Sequence, residues 1–150
     1  MPLNVRDMPI PARVSLVTLG VADVERATVF YQTLGWPLSP ASVAGEVSFF
    51  NTAGGLLALW GSENLAADTG LPSAPPGFRG VVLAINLEDR AAVDAALAAA
   101  AGAGGMIIKA AVQADWGGYT GYFADPDGHV WEVAHNPGWP IGEDGRPTLP

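Results

Sequence analysis

GYTGYFADPDGHVWEV, residues 118–133, is the stretch that decides the fold. At its centre, Asp125-Pro126-Asp127-Gly128 has the composition of a tight turn, because proline presets one backbone angle and glycine tolerates a positive φ. Residues 119–124 and 129–135 on either side are rich in aromatic and β-branched residues, which favour strands. The stretch therefore predicts a β-hairpin.

The residues before this hairpin complete one supersecondary unit. VVLAINL, residues 81–87, has the composition of a buried strand. Asp89 is placed to cap an alanine-rich helix that runs to about Ala101. MIIKAAV, residues 106–112, predicts another strand. The second half of the chain, about 80–137, is therefore predicted to run β-α-β-β-β.

The first half shows the same order of elements. VSLVTLGV (14–21) predicts a strand, Asp23 caps a helix over 24–34, and EVSFFN (46–51) and LLALW (56–60) are strands joined by a Gly-Gly turn. Two prolines interrupt the stretch around 37–40, which still allows a short edge strand. This module spans about 13–61.

The two halves align as a repeat. Asp23 and Asp89, the two helix caps, are 66 residues apart, and the same offset pairs Leu16 with Val82 in the preceding strands. Aligning the two hairpins pairs Leu59 with Glu132 at an offset of 73. The two offsets differ because the loops of the modules differ in length, and loops tolerate insertions.

The length of 150 residues fits a single domain. Residues 62–79, with their prolines and glycines, are interpreted as a linker between the modules, and 138–150 as an extended tail. The predicted fold class is α+β, with two tandem βαβββ modules that form an open, barrel-like cavity.

Composition excludes several classes of function. The formal net charge is −8, so binding to nucleic acid or to an anionic membrane surface is not expected. There is no cysteine, which rules out disulfides and thiolate chemistry. The beginning of the chain lacks the basic and apolar regions of a secretion signal, and we expect a soluble cytoplasmic protein.

The motif at 118–133 and the LGVADVERATVFY segment at 19–31 resemble the vicinal-oxygen-chelate superfamily, which includes glyoxalases, bleomycin-resistance proteins and extradiol dioxygenases. The resemblance covers about 13–137. It implies two modules around a cavity in which four strands each supply one ligand to a divalent metal ion. The positions that match those ligands are Leu16, Leu59, Val82 and Glu132.

Only one of these four side chains can bind a metal. Divalent ions need several oxygen or imidazole ligands, and three aliphatic side chains offer none. His129 and His135 are at odd offsets from Glu132 on the same strand, so they are predicted to point to the opposite face. The sequence therefore predicts a degenerate site with no metal and no cofactor.

Other residues are candidates for binding a small molecule. Thr18 and Asn86 have the parity of the cavity-facing residues and can supply orienting hydrogen bonds. Trp116, Tyr119 and Tyr122 suit a pocket because each combines an apolar ring with a polar atom. Equally, these aromatic residues can fill one end of the barrel or form a dimer contact.

Two functions remain open. In the first, the protein binds a small, largely apolar molecule without a metal. In the second, it is a lyase or isomerase in which Glu132 acts as a general base, with a pKa raised by burial in a dry cavity. A carboxylate that merely accepts a hydrogen bond is the alternative for Glu132, and a metal-dependent glyoxalase or dioxygenase is disfavoured.

The resemblance also implies assembly into a homodimer. The Pro-Gly-Trp-Pro stretch at 137–140 is an apolar surface that a second copy would cover. The modules can pair within one chain or be exchanged between two, and the sequence is compatible with both.

Overall fold

A computed structural model describes residues 9–73, 75 and 77–150. Met1 to Met8, in the segment considered as a targeting signal, and Ala74 and Pro76, in the predicted linker, lie outside the described residues. The first module contains β1 (Leu16–Val21), α1 (Val24–Thr33), β2 (Val47–Thr52) and β3 (Gly55–Gly61). The second contains β4 (Leu83–Asn86), α3 (Arg90–Gly102), β5 (Met106–Gln113), β6 (Tyr119–Ala124) and β7 (Val130–His135).

Each module forms its own mixed sheet. The strand orders are β1-β3-β2 and β4-β7-β6-β5, and β1–β3 and β4–β7 are the parallel pairs. The stretch equivalent to β5 in the first module makes only the isolated bridges Leu38–Phe50 and Val43–Val47. Pro37 and Pro40 explain this difference, because proline cannot donate a hydrogen bond to a strand ladder. The two sheets form an open, curved, barrel-like arrangement, so the predicted α+β fold class is confirmed.

The predicted linker, 62–79, contains a third helix, α2 (Ser62–Thr69), which the sequence analysis did not predict. The glycines and prolines that suggested a linker lie at the ends of this helix and beyond it. Gly70 ends the helix in the left-handed conformation, with φ of 74°. The eight residues of α2, between Gly61 and Gly70, contain neither glycine nor proline, and helix formers such as Leu65 occupy the centre of the helix.

The hydrophobic core is shared by both modules. Helix α1 lies against its own sheet and also contacts the second module, where Phe30 meets Phe123 at a ring-centroid distance of 6.3 Å. Tyr31 lies 6.1 Å from Trp131 in the same way. Helix α3 covers the second sheet, and the mutual burial of these apolar faces is the main stabilising contribution to the pairing of the modules.

The 125–129 turn joins the two modules through polar contacts. The Asp127 carboxylate accepts hydrogen bonds from the Ala22 backbone N–H (2.9 Å) and from the Arg26 guanidinium (3.0 Å). The buried Asp125 carboxylate accepts one from the Tyr31 hydroxyl at 2.7 Å. The turn that identified the hairpin in the sequence therefore also fixes the second module against the beginning of α1.

Candidate functional site

The strands present two faces, one toward the helices α1 and α3 and one away from them. Along β1 the odd-numbered residues enter or border the core, and the even-numbered Leu16, Thr18 and Gly20 lie on the other side. In the second module Trp131 and Val133 are in the core, so Glu132 lies on the other side of β7. We call this second side the open face.

Leu59 does not lie on the open face. Its side chain is fully buried in the core, on the helix side of β3. In the parallel pair β1–β3, Thr18 is the register partner of Ala58, and in the equivalent pair β4–β7, Ala84 is the partner of Glu132. Thr18 and Ala84 are equivalent at the 66-residue offset. The residue that corresponds to Glu132 is therefore Ala58, and the hairpin alignment was wrong by one residue.

Several aliphatic side chains on the open face are exposed. The relative exposures are 42% for Leu16, 40% for Leu56 and 41% for Val82. Leu16 and Leu56 are register partners on adjacent strands, so they form a continuous apolar surface. Such a surface favours contact with an apolar ligand or a protein partner.

Glu132 is paired with Tyr122 on this face. The two residues are register partners on β7 and β6, and the Tyr122 hydroxyl donates a hydrogen bond to Glu132 Oε2 at 2.7 Å. This hydrogen bond is the main cause of a raised pKa for Tyr122, because it stabilises the protonated hydroxyl. Both side chains are half-buried, so the pair can offer acceptor oxygens to a ligand.

The other two aromatic candidates lie elsewhere. Tyr119 is on the helix side, where its hydroxyl donates to Asp94 of α3 at 2.7 Å, and this hydrogen bond is the main cause of its raised pKa. The Trp116 ring lies over Gly118, where a Cβ atom would overlap the ring, and the side chain is 61% exposed. Neither position supports the predicted role in a common pocket with Glu132.

His135 lies on the helix side, as its parity predicts, because its register partner is Tyr119, whereas His129 precedes β7 and lines the cavity beside α2. His129 Nε2 is 2.7 Å from the Gly20 carbonyl oxygen, and His135 Nδ1 is 3.0 Å from that of Leu87. A carbonyl oxygen can only accept, so each of these ring nitrogens carries a proton. Both histidines therefore join their strand to a neighbouring segment.

In the described part of the chain, two cavities flank the seam between the edge strands β1 and β4, and neither brings together all the residues that were expected to share one. The larger, about 560 Å³, is called the tail cavity because residues 145–147 of the C-terminal tail form part of its wall. The smaller, about 460 Å³, is called the α2 cavity after the helix beside it. Asn86 lines the tail cavity and Thr18 lines the α2 cavity, while Leu16, Val82 and Glu132 line neither.

The tail cavity adjoins the open face at Ala84. Ala84 lines the cavity and is the register partner of Glu132, which is therefore one strand spacing, about 4.8 Å, away. The wall of the tail cavity also contains Trp36, Trp131 and, from the C-terminal tail, Arg146. No sequence pattern pointed to these three residues, because their approach to Asn86 depends on how the modules and the tail pack.

The residues at the four expected ligand positions do not fit a metal ion. With the register corrected, these positions hold Leu16, Ala58, Val82 and Glu132, and the single carboxylate is already hydrogen-bonded to Tyr122. Across the part of the chain that the structure describes, no group of three or more potential ligands comes together. The donor set is therefore inadequate for a divalent ion at this place.

Comparison with protein families gives one match of broad coverage. Residues 13–133 match the model of the Glyoxalase/Bleomycin resistance protein/Dioxygenase superfamily. A search of curated protein sequences gave no significant match. Across the described residues, no helix has the length and apolar character needed to cross a membrane.

Solved structures show the same fold. A glyoxalase-related enzyme from Fulvimarina pelagi is 38% identical, with a TM-score of 0.82 over 92% of this chain and 98% of its own. A glyoxalase/bleomycin resistance protein/dioxygenase from Nocardioides is 26% identical, with a TM-score of 0.71 over 92% and 93%. Lactoylglutathione lyase from Agrobacterium tumefaciens is similar in fold alone, at 20% identity and a TM-score of 0.65 over 84% and 95%. The chain belongs to the glyoxalase/bleomycin resistance protein/dioxygenase superfamily.

Proposed function

We propose that this member of the superfamily binds a small, largely apolar molecule without the help of a metal ion. The observation that carries the proposal is the tail cavity of about 560 Å³, lined by Trp36, Trp131 and Ala84, the last of which is the register partner of Glu132. Its volume is in the usual range for ligand sites, and a mainly apolar lining with a few polar groups is typical of them.

The proposed ligand has an apolar body and one polar group. The body lies between Trp36 and the exposed Leu56, and the polar group reaches Glu132 beyond Ala84. Tyr122 already donates to one carboxylate oxygen, so the other oxygen is available to accept from the ligand. A hydrogen-bond donor or a cation is the chemistry that this oxygen recognises.

Calorimetric titration of compounds selected by a thermal-shift screen tests the proposal. Glu132→Gln should weaken binding by roughly 1–3 kcal/mol, because it removes a charge-assisted hydrogen bond while preserving shape. Glu46→Gln makes the same chemical change at an exposed carboxylate that lines neither cavity, and it should bind as the parent does. If Glu132→Gln binds every selected compound as tightly as the parent, Glu132 is not the polar anchor.

The absence of a functional metal is part of the proposal and is tested separately. Elemental analysis after purification in the presence of zinc, iron, manganese and nickel should find far less than one ion per chain. About one ion per chain that is lost in Glu132→Ala would contradict the degenerate site. Selected compounds that are converted to products would instead favour the lyase or isomerase alternative, with Glu132 as the base.

A further inference from the structure

The α2 cavity differs in chemistry from the tail cavity. It lies on the other side of the seam, where α2, residues 71–73 and residues 77–79 line it opposite β1. Its apolar lining includes Leu65, Phe78 and Val130, and its polar lining includes the hydroxyls of Ser62 and Thr69. Among the described residues, no aspartate or glutamate lines it, although the chain contains fifteen acidic residues.

The walls of this cavity are firmly positioned. Helix α2 approaches β1 so closely that a Cβ atom added to Gly20 would lie 3.3 Å from Leu65 Cδ2 and Ser62 Oγ. On the opposite side, His129 donates its Nε2 proton to the Gly20 carbonyl oxygen at 2.7 Å. Residues from both modules therefore hold the β1 and α2 walls in place before any ligand arrives, which lowers the entropic cost of binding.

Of the described arginines, Arg79 alone lines this cavity. Its side chain makes one hydrogen bond to another described residue, a long one of 3.4 Å to the Pro75 carbonyl oxygen. Within the described parts of the chain, the one ion pair joins Arg26 to Asp127, so Arg79 has no carboxylate partner there. A cation beside an apolar cavity, in a chain of net charge −8, is an available site for an anionic group.

We propose that the α2 cavity binds a small carboxylate with an apolar body, and that Arg79 is its counter-ion. A guanidinium can donate two parallel hydrogen bonds to a carboxylate, and the Ser62 hydroxyl can donate to an oxygen left over, whereas the Thr69 hydroxyl already donates to the Ala66 carbonyl oxygen. The volume of about 460 Å³ accommodates a chain or ring of drug-fragment size. This site is independent of the tail cavity and of Glu132.

Octanoate and its neutral isostere octanamide are suitable probes, because they differ mainly in charge. The parent protein should bind octanoate about tenfold more tightly than octanamide, as expected for a partly exposed charge-assisted contact. Arg79→Gln should abolish this preference by weakening octanoate about tenfold. Arg13→Gln removes an exposed arginine that lines neither cavity, and it should preserve the preference.

Amide chemical shifts measured by NMR during the titration locate the binding site. Octanoate should perturb the amides of Gly20, Leu65 and His129. Equal affinity for the two probes, unchanged octanoate affinity in Arg79→Gln, or perturbations centred on Tyr122 and Glu132 would each overturn the proposal. Because Arg79 does not line the tail cavity, these results are distinguishable from failure of the Glu132 site.

Discussion

At the scale of single residues, Tyr31 connects the polar contacts of the two modules. Its side chain is fully buried, its hydroxyl donates to Asp125, and it accepts a hydrogen bond from Trp131 Nε1 at 3.1 Å. Burial and the Asp125 charge raise the pKa of Tyr31 well above its ordinary value. The unfolded chain therefore releases this proton near pH 10, while the folded protein retains it.

Tyr31→Phe should destabilise the protein and alter its response to alkali. Losing the hydroxyl leaves Asp125 Oδ2 and Trp131 Nε1 without this partner, which costs about 1–3 kcal/mol for each. The contribution of the raised pKa is complete below pH 10 and falls as the pH rises above it, by about 1.4 kcal/mol per pH unit. Urea denaturation from pH 7 to 11.5 should therefore show the parent's advantage over the variant shrinking above pH 10.

Tyr119→Phe is the matched control for this experiment. It removes a hydroxyl that bonds the exposed Asp94, so its effect at neutral pH should stay below about 1 kcal/mol. A difference between parent and Tyr31→Phe that stays constant up to pH 11.5 would show that Tyr31 does not titrate as its burial requires.

At the scale of elements, side chains along β1 and β3 alternate between the core and the open face, and this alternation places two leucines in different environments. Leu59 is fully buried and Leu16 is 42% exposed. Leu59→Ala should lower the free energy of unfolding by about 2–5 kcal/mol, because it leaves a cavity in a close-packed core. Leu16→Ala should cost less than about 1.5 kcal/mol, since much of its side chain is already in contact with water.

Chemical denaturation of the two variants measures this difference directly. Equal costs for Leu16→Ala and Leu59→Ala would contradict the register that pairs Ala58 with Thr18. The same register makes Ala58 the equivalent of Glu132 in the first module. Equal costs would therefore also contradict the assignment of Ala58 to an expected ligand position.

At the scale of the whole molecule, we propose that two copies form a dimer. Strand β5 lies at the edge of its sheet and exposes Met106 (69%) and Ile108 (51%), and Trp139 in the tail is 38% exposed. An edge strand with exposed apolar side chains is a common site of association. Light scattering at micromolar concentration should give twice the mass of the chain.

A matched pair of variants tests whether β5 contributes to this dimer. Ile108→Asp should shift the measured mass toward that of a single chain. Val29→Asp places the same charge at an exposed position on α1 and should leave the dimer intact. A parent protein with the mass of one chain would contradict the dimer itself, and an intact Ile108→Asp dimer would exclude β5 from the interface.

The sequence by itself determined the order of the elements and the family resemblance. Strand alternation, the helix caps Asp23 and Asp89 and the turn at 125–128 are local features, and local preferences of the backbone are sufficient to indicate them. The same parity correctly placed His135 on the face opposite Glu132. Helix α2 was missed because prolines and glycines on either side of it dominated the composition of the linker.

Only the tertiary structure decided which residues surround a cavity. The offset between β3 and β7 depends on hairpin and loop lengths, so a one-residue error moved Leu59 from the core to the open face. The two cavities arise from how β1 and β4 meet, how α2 covers Gly20 and how the tail reaches Asn86. These are contacts between residues far apart in the chain, and packing of the shared core, rather than local sequence, sets their positions.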